Sequence, residues 1–177
     1  MIALGLFAAL VGILAVTVAV QPAEFSIERS AMIAAPPATV FALVNDFHQW
    51  EKWSPWAKLD PAMKTTFEGP ESGAGAIYTW VGNSDVGEGK MTILESRAPE
   101  QVGIQLEFIK PMAATNTSEF SFKPEGDGTT VTWTMAGKNN FIGKAFCLFV
   151  DMDAMVGADF EKGLTAMKAA AEAASSA

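Results

Sequence analysis

The chain is poor in the residues from which reactive centres are commonly built. Its 177 residues include one cysteine, one histidine and one tyrosine. A lone Cys147 excludes an intrachain disulfide and a cysteine-based metal site. Its setting in the apolar run FCLFV reads as that of a buried, inert thiol. No serine elbow, no Cys/His nucleophile arrangement and no cluster with metal-ligand spacing occurs, so neither a catalytic set nor a metal or other cofactor is expected. The glycine-dense stretch GPESGAGA lacks a lysine and runs into a strand, which excludes a phosphate loop. No run of five or six like charges occurs, and no basic stripe. With 20 acidic against 12 basic residues, the formal net charge is −8. Such a surface repels a nucleic-acid backbone, which excludes nucleic acid as a partner.

What the chain does have is apolar surface. Half of its residues are apolar, and the mean hydropathy is +0.22. Much of the excess sits in Ile2 to Val20, IALGLFAALVGILAVTVAV, which carries no charge. As a helix this run would be about 28 Å long, close to the thickness of a bilayer's hydrocarbon core. It exceeds the apolar core of a cleaved signal peptide and lacks a basic n-region, so residues 1–20 read as an uncleaved single-span anchor rather than a leader. A short tail with a large domain behind it places that domain on the non-cytoplasmic side. Residues 21–24 read as a linker.

Beyond the linker the periodicity is informative. FSIERSAMI alternates as a first strand, and Pro36-Pro37 stops it and can open a helix. Val40, Phe41, Val44 and Phe47 follow at helical spacing, predicting a helix from about 38 to 53 that is interrupted near Asn45-Asp46. The period then changes to two. MKTTFEG, GAIYTWVGN, GKMTILESR, QVGIQLEFIK, SEFSFKPE and TTVTWTMAG each read as a strand, separated by Gly, Pro, Asn and Asp turns. Met152, Val156, Phe160, Leu164 and Met167 form the apolar stripe of a last helix, with Asp151 or Asp153 as its N-cap. Residues 173–177 are expected to fray. The sum is an α+β fold: an antiparallel sheet of six to seven strands with a long C-terminal helix across it.

Four stretches carry a family resemblance: ERSAMIAAPPATVFALVNDFHQWEKWSPW, GAGAIYTWVGNSDVGEGKMTI, GTTVTWTMAG and ADFEKGLTAMK. With their spacing they make residues 25–172 similar to the helix-grip superfamily called SRPBCC. It includes START lipid-transfer domains, birch-pollen-allergen-like proteins and polyketide cyclases. The chain most resembles the bacterial polyketide cyclase/dehydrase subgroup. The resemblance implies a curved sheet gripping the C-terminal helix around an apolar cavity that holds a small hydrophobic ligand.

Placed on that frame, Trp53 and Trp56 of the WSPW element would line or close the cavity mouth. The competing reading makes them ordinary core. Tyr78, Trp80, Phe108, Phe120, Trp133 and Met135 are the inward strand positions, met by Met155, Phe160 and Leu164 from the helix. Tyr78 has two readings: a hydroxyl offered to a ligand, or one tied to a backbone group. His48 reads as a solvated surface residue. A lipid- or isoprenoid-like ligand held by a membrane-tethered binding protein is the leading expectation. A cyclase acting by substrate shaping is the second, and a protein-interaction module the third.

Overall fold

The computed structural model describes the backbone over residues 2–175 and the side chains over residues 9–175. A helix α1 (Ile2–Val20) precedes β1 (Glu24–Ile33) and α2 (Pro37–Asn45), which leads into a 3-10 helix (Phe47–Lys52). Six strands follow: β2 (Lys64–Glu68), β3 (Ile77–Val81), β4 (Glu88–Arg97), β5 (Gln101–Lys110), β6 (Ala114–Glu125) and β7 (Gly128–Lys138). A short helix α3 (Phe141–Cys147) connects them to α4 (Met152–Ser175).

The strands form one antiparallel sheet in the order β1-β7-β6-β5-β4-β3-β2. β2 to β7 are a plain meander, and β1 closes on β7 from Glu24↔Lys138 to Ile33↔Thr129. Register shifts in β4 between Glu88 and Gly89 and between Ile93 and Glu95 mark bulges, which bend a strand and deepen its twist. The alternation in β7 is the predicted one: Val131, Trp133 and Met135 are buried, and Thr132 and Thr134 less so. α4 packs against β1 and α2, burying Phe160, Leu164, Met167 and Ala171 in the core.

The predicted helical interruption falls at Asp46. Its carboxylate accepts from the His48 backbone N–H at 2.8 Å, so the side chain caps the next turn instead of letting α2 run on. α4 is capped by Asp151, whose Oδ1 accepts from Ala154 N at 3.0 Å. α4 reaches Ser175, taking in three of the residues expected to fray; residues 176 and 177 lie outside the described residues.

Two expectations change. Cys147 is exposed rather than buried, because the FCLFV run belongs to α3 and the turn after it, an element with no buried residue. Among the described residues, no helix is long and apolar enough to cross a membrane. The single-span anchor expected over residues 1–20 therefore gains no support, and the side chains of its first eight residues lie outside the described residues.

Candidate functional site

α2 ends without a glycine or a basic residue, leaving carbonyls that need partners. The tryptophans supply them. Trp50 Nε1 donates to Val44 O and Trp53 Nε1 to Leu43 O, both at 2.9 Å. This folds the 3-10 helix back under α2 and buries Trp53 to 1% exposure. Pro55 then takes the chain out of the turn, and Trp56 crosses the concave face. Gly163 of α4 makes that crossing possible. A Cβ there would lie 2.9 Å from the Trp133 ring and 3.1 Å from Pro55 Cδ.

Trp133 is the hub. Its ring stacks on Phe160 at 3.9 Å with planes 6° apart and on Phe120 at 4.8 Å. Trp53 and Trp56 meet it edge-on at 5.6 and 5.8 Å. Its Nε1 donates to Ser118 Oγ at 2.9 Å, satisfying two polar groups inside an apolar region.

Beside this pile lies a cavity of about 700 Å³, within the size range of small-molecule sites. Its walls are Trp50 and Trp56 with the loop down to Met63, Phe67 of β2, Tyr78 and Trp80 of β3, Met91, Leu106 and Phe108, and Trp133, Met135 and Phe160 behind. Seven of the residues predicted from sequence come together here: Trp56, Tyr78, Trp80, Phe108, Trp133, Met135 and Phe160. Four do not. Trp53, Phe120 and Leu164 are buried in the core behind the wall, at 2% exposure or less. Met155, in the first turn of α4, is 48% exposed and lies outside the cavity lining. Met63, Phe67, Met91 and Leu106 line the cavity without having been singled out. Met91 faces Leu106 across β4 and β5, so extending the alternation argument to those strands would have found the pair.

The polar inventory is short. Four tryptophans spend their indole N–H on protein acceptors, Trp80 on Val86 O at 3.0 Å. Trp56 Nε1 and the Tyr78 hydroxyl have no hydrogen-bond partner among the described residues. Tyr78 is thus not tied to a backbone group. Burial, helped by the Glu51 carboxylate, pushes its phenol above the usual range, so it keeps its proton and can donate a hydrogen bond but is a weaker acid than a free tyrosine. Asp60 is engaged structurally, accepting from Ala62 N and Asn83 N at 2.9 and 2.7 Å. Glu51, Lys58 and Asp85 are exposed members of the lining, giving it an acidic excess.

His48 is exposed, as read from sequence, but it is also one of the residues lining the cavity. It stacks on Phe67 at 4.1 Å, and its Nδ1 lies 2.8 Å from Asp46. Burial raises the Asp46 carboxyl, but bonds from Gln49 and from the backbone and ring of His48 outweigh it and hold it below the carboxylate range. Among the described residues no group of His, Cys, Asp or Glu is arranged to hold a metal.

Comparison with known proteins agrees with this geometry. A family model described as polyketide cyclase / dehydrase and lipid transport matches residues 24–172. No significant match is found among curated proteins. Among solved structures, a protein of unknown function from Staphylococcus aureus superposes with a TM-score of 0.65 at 14% identity, over 89% of this chain and 99% of that one. The Aha1 dimer from Colwellia psychrerythraea gives 0.60 at 16%, over 84% and 96%. The di-domain ARO/CYC StfQ from the steffimycin biosynthetic pathway gives 0.64 at 12%, over 88% of this chain and 53% of that one. At these identities the likeness is one of fold.

Proposed function

This chain belongs to the polyketide cyclase / dehydrase and lipid transport family, and from that premise we propose that it binds a small hydrophobic molecule with one uncharged polar end. The single observation that carries the proposal is the composition of the cavity wall. Aromatic and methionine side chains form it, and two of its residues, Tyr78 and Trp56, carry donors that make no hydrogen bond among the described residues and stay open to solvent, where a carbonyl or hydroxyl can meet them. Glu51 and Asp85 disfavour a carboxylate or phosphate there by like-charge repulsion. We assign residues 1–20 to contact with a bilayer, the phase from which such a molecule would be drawn. Their support is the absence of any charge before Glu24.

A second reading, cyclisation of a bound substrate by shape, is favoured by one feature: Tyr78 lines the cavity and its hydroxyl makes no hydrogen bond among the described residues. Native mass spectrometry of the full chain, gently extracted and followed by organic extraction of whatever is bound, tests the binding reading. A defined neutral hydrophobic molecule, lost in Trp56→Ala protein that remains folded, is the expected result. An empty cavity that also takes up no hydrophobic dye would overturn it. Turnover of the extracted molecule that disappears in Tyr78→Phe would establish the second reading.

A further inference from the structure

α3 buries none of its residues, although it is one of the most apolar segments after α1. Phe141, Ile142, Phe146 and Phe149 project from it and from the turn after it, 46% to 81% exposed. Ile142 and Phe146 are four apart and share one face of α3, and Phe149 follows in the turn after it. No acidic residue occurs from Asn139 to Val150, in a chain of net charge −8. Phe149, the most exposed of these side chains, fits a fluid apolar phase better than a shaped protein groove.

What lies beside this face is the end of α1. The two helices touch, and Val18 in the last turn of α1 is buried. Lys144 Nζ, the one charge on α3, donates to Ala19 O at 3.3 Å, where a cation complements a helix C-terminus. Leu10, Val11, Ile13, Leu14, Val16 and Val20 of α1 are exposed, so exposed apolar residues of α1 and α3 lie on two helices in contact.

The strand register fixes where this surface sits. Lys138 pairs with Glu24, Gly137 with Asn116, Phe108 with Ala114, and Glu88 with both Val81 and Lys110. The start of β1 and the end of β7, from which α1 and α3 depart, therefore lie at the same strand ends as the β3–β4 turn. That turn contributes Asp85 and Val86 to the cavity.

We propose that α3 is an interfacial wedge: Phe141, Ile142, Phe146 and Phe149 enter the headgroup–acyl boundary of a lipid bilayer beside the end of α1. Lys144 stays at headgroup level, as basic side chains do at such boundaries. The wedge holds the Asp85–Val86 end of the domain toward the membrane. It rests on the reading that residues 1–20 contact a bilayer, and it adds a second contact that fixes orientation.

The chain supplies its own probe, since Cys147 is its one cysteine and is exposed on α3. The full chain, labelled there with a small fluorophore, is reconstituted into phosphatidylcholine vesicles carrying bromine at shallow acyl positions. We expect the brominated lipid to quench the label by about twofold or more and aqueous iodide to reach it poorly. The double variant Ile142→Ser/Phe149→Ser should reverse both effects while the protein still sediments with the vesicles. Amide exchange in unlabelled protein should slow over 141–150 on vesicles. A label open to iodide and untouched by brominated lipid, on vesicle-bound protein, overturns the wedge. Label self-quenching that rises with the protein-to-lipid ratio overturns it in favour of a second copy of the chain. Protein that does not sediment with vesicles overturns both the wedge and the assignment of residues 1–20. The cavity reading is scored separately by its bound molecule, which the double variant should retain.

Discussion

Trp50 and Trp53 each give an indole N–H to a carbonyl that α2 leaves open, while Trp56, three residues on, lines the cavity and makes no such bond among the described residues. Substitution should separate these roles. Trp53→Ala empties a fully buried site and removes a cap, so a loss of about 3–5 kcal/mol is expected in denaturant unfolding. Trp56→Ala should change unfolding far less and weaken ligand retention instead. A Trp56→Ala protein as destabilised as Trp53→Ala would return Trp56 to the core. Gly163→Val forces a side chain against Trp133 and Pro55, and overpacking of that kind costs about 1–3 kcal/mol. Near-ultraviolet circular dichroism should show the aromatic pile disturbed as well. The sequence brings Trp53 and Trp56 together as equals. Their difference depends on where α2's last carbonyls end up, and residue spacing does not encode that.

At the scale of the element, α4 is held by charge as well as by its apolar face. Arg29 of β1 reaches Asp153 at 2.9 Å and Glu161 at 3.0 Å, passing Gly157, where a Cβ would collide with the guanidinium. Near the other end, Glu172 accepts from Ala34 N at 2.8 Å and Lys168 Nζ at 2.6 Å. The bond from Arg29 holds the Asp153 carboxyl below its ordinary 3.8, and those from Lys168 and Ala34 hold Glu172 below its ordinary 4.5. Depressed carboxylates bind fewer protons folded than unfolded, so stability rises with pH through their range. The contribution is complete above these ordinary values and disappears as pH falls through the lowered ones. Melting temperature should therefore be flat from pH 7 to about pH 5 and fall below that, less steeply in Arg29→Met. An equal acid slope in that variant would count against the pairing. The strands, α4 and the interruption at Asp46 were legible because each has a period or a cap. α3 was not: about two turns between Asn140 and Asp151 offer too few residues for a period to show.

For the molecule as a whole, the family, the sheet and the inward faces could be read in advance, but the cavity's extent could not. It depends on the loop from Ser54 to Met63 standing off β2 and β3, a matter of tertiary distance. The acidic excess of its lining makes a prediction that belongs to this scale. Glu51→Gln/Asp85→Asn should raise affinity for a fatty-acid carboxylate by about tenfold at low salt, the gain fading as salt screens the rim. No change in a displacement titration would mean that the rim charges do not discriminate between ligands.

The stack of Trp133 on Phe160, with Trp53 and Trp56 edge-on to it, has an optical consequence. Indoles this close exchange excitation energy, so the tryptophan emission reports on one small region rather than on five scattered sites. A molecule settling against Trp56 would change that emission and the coupled near-ultraviolet dichroism together. The unmodified protein is in that sense its own occupancy meter, and extracts could be screened against it before any ligand has a name.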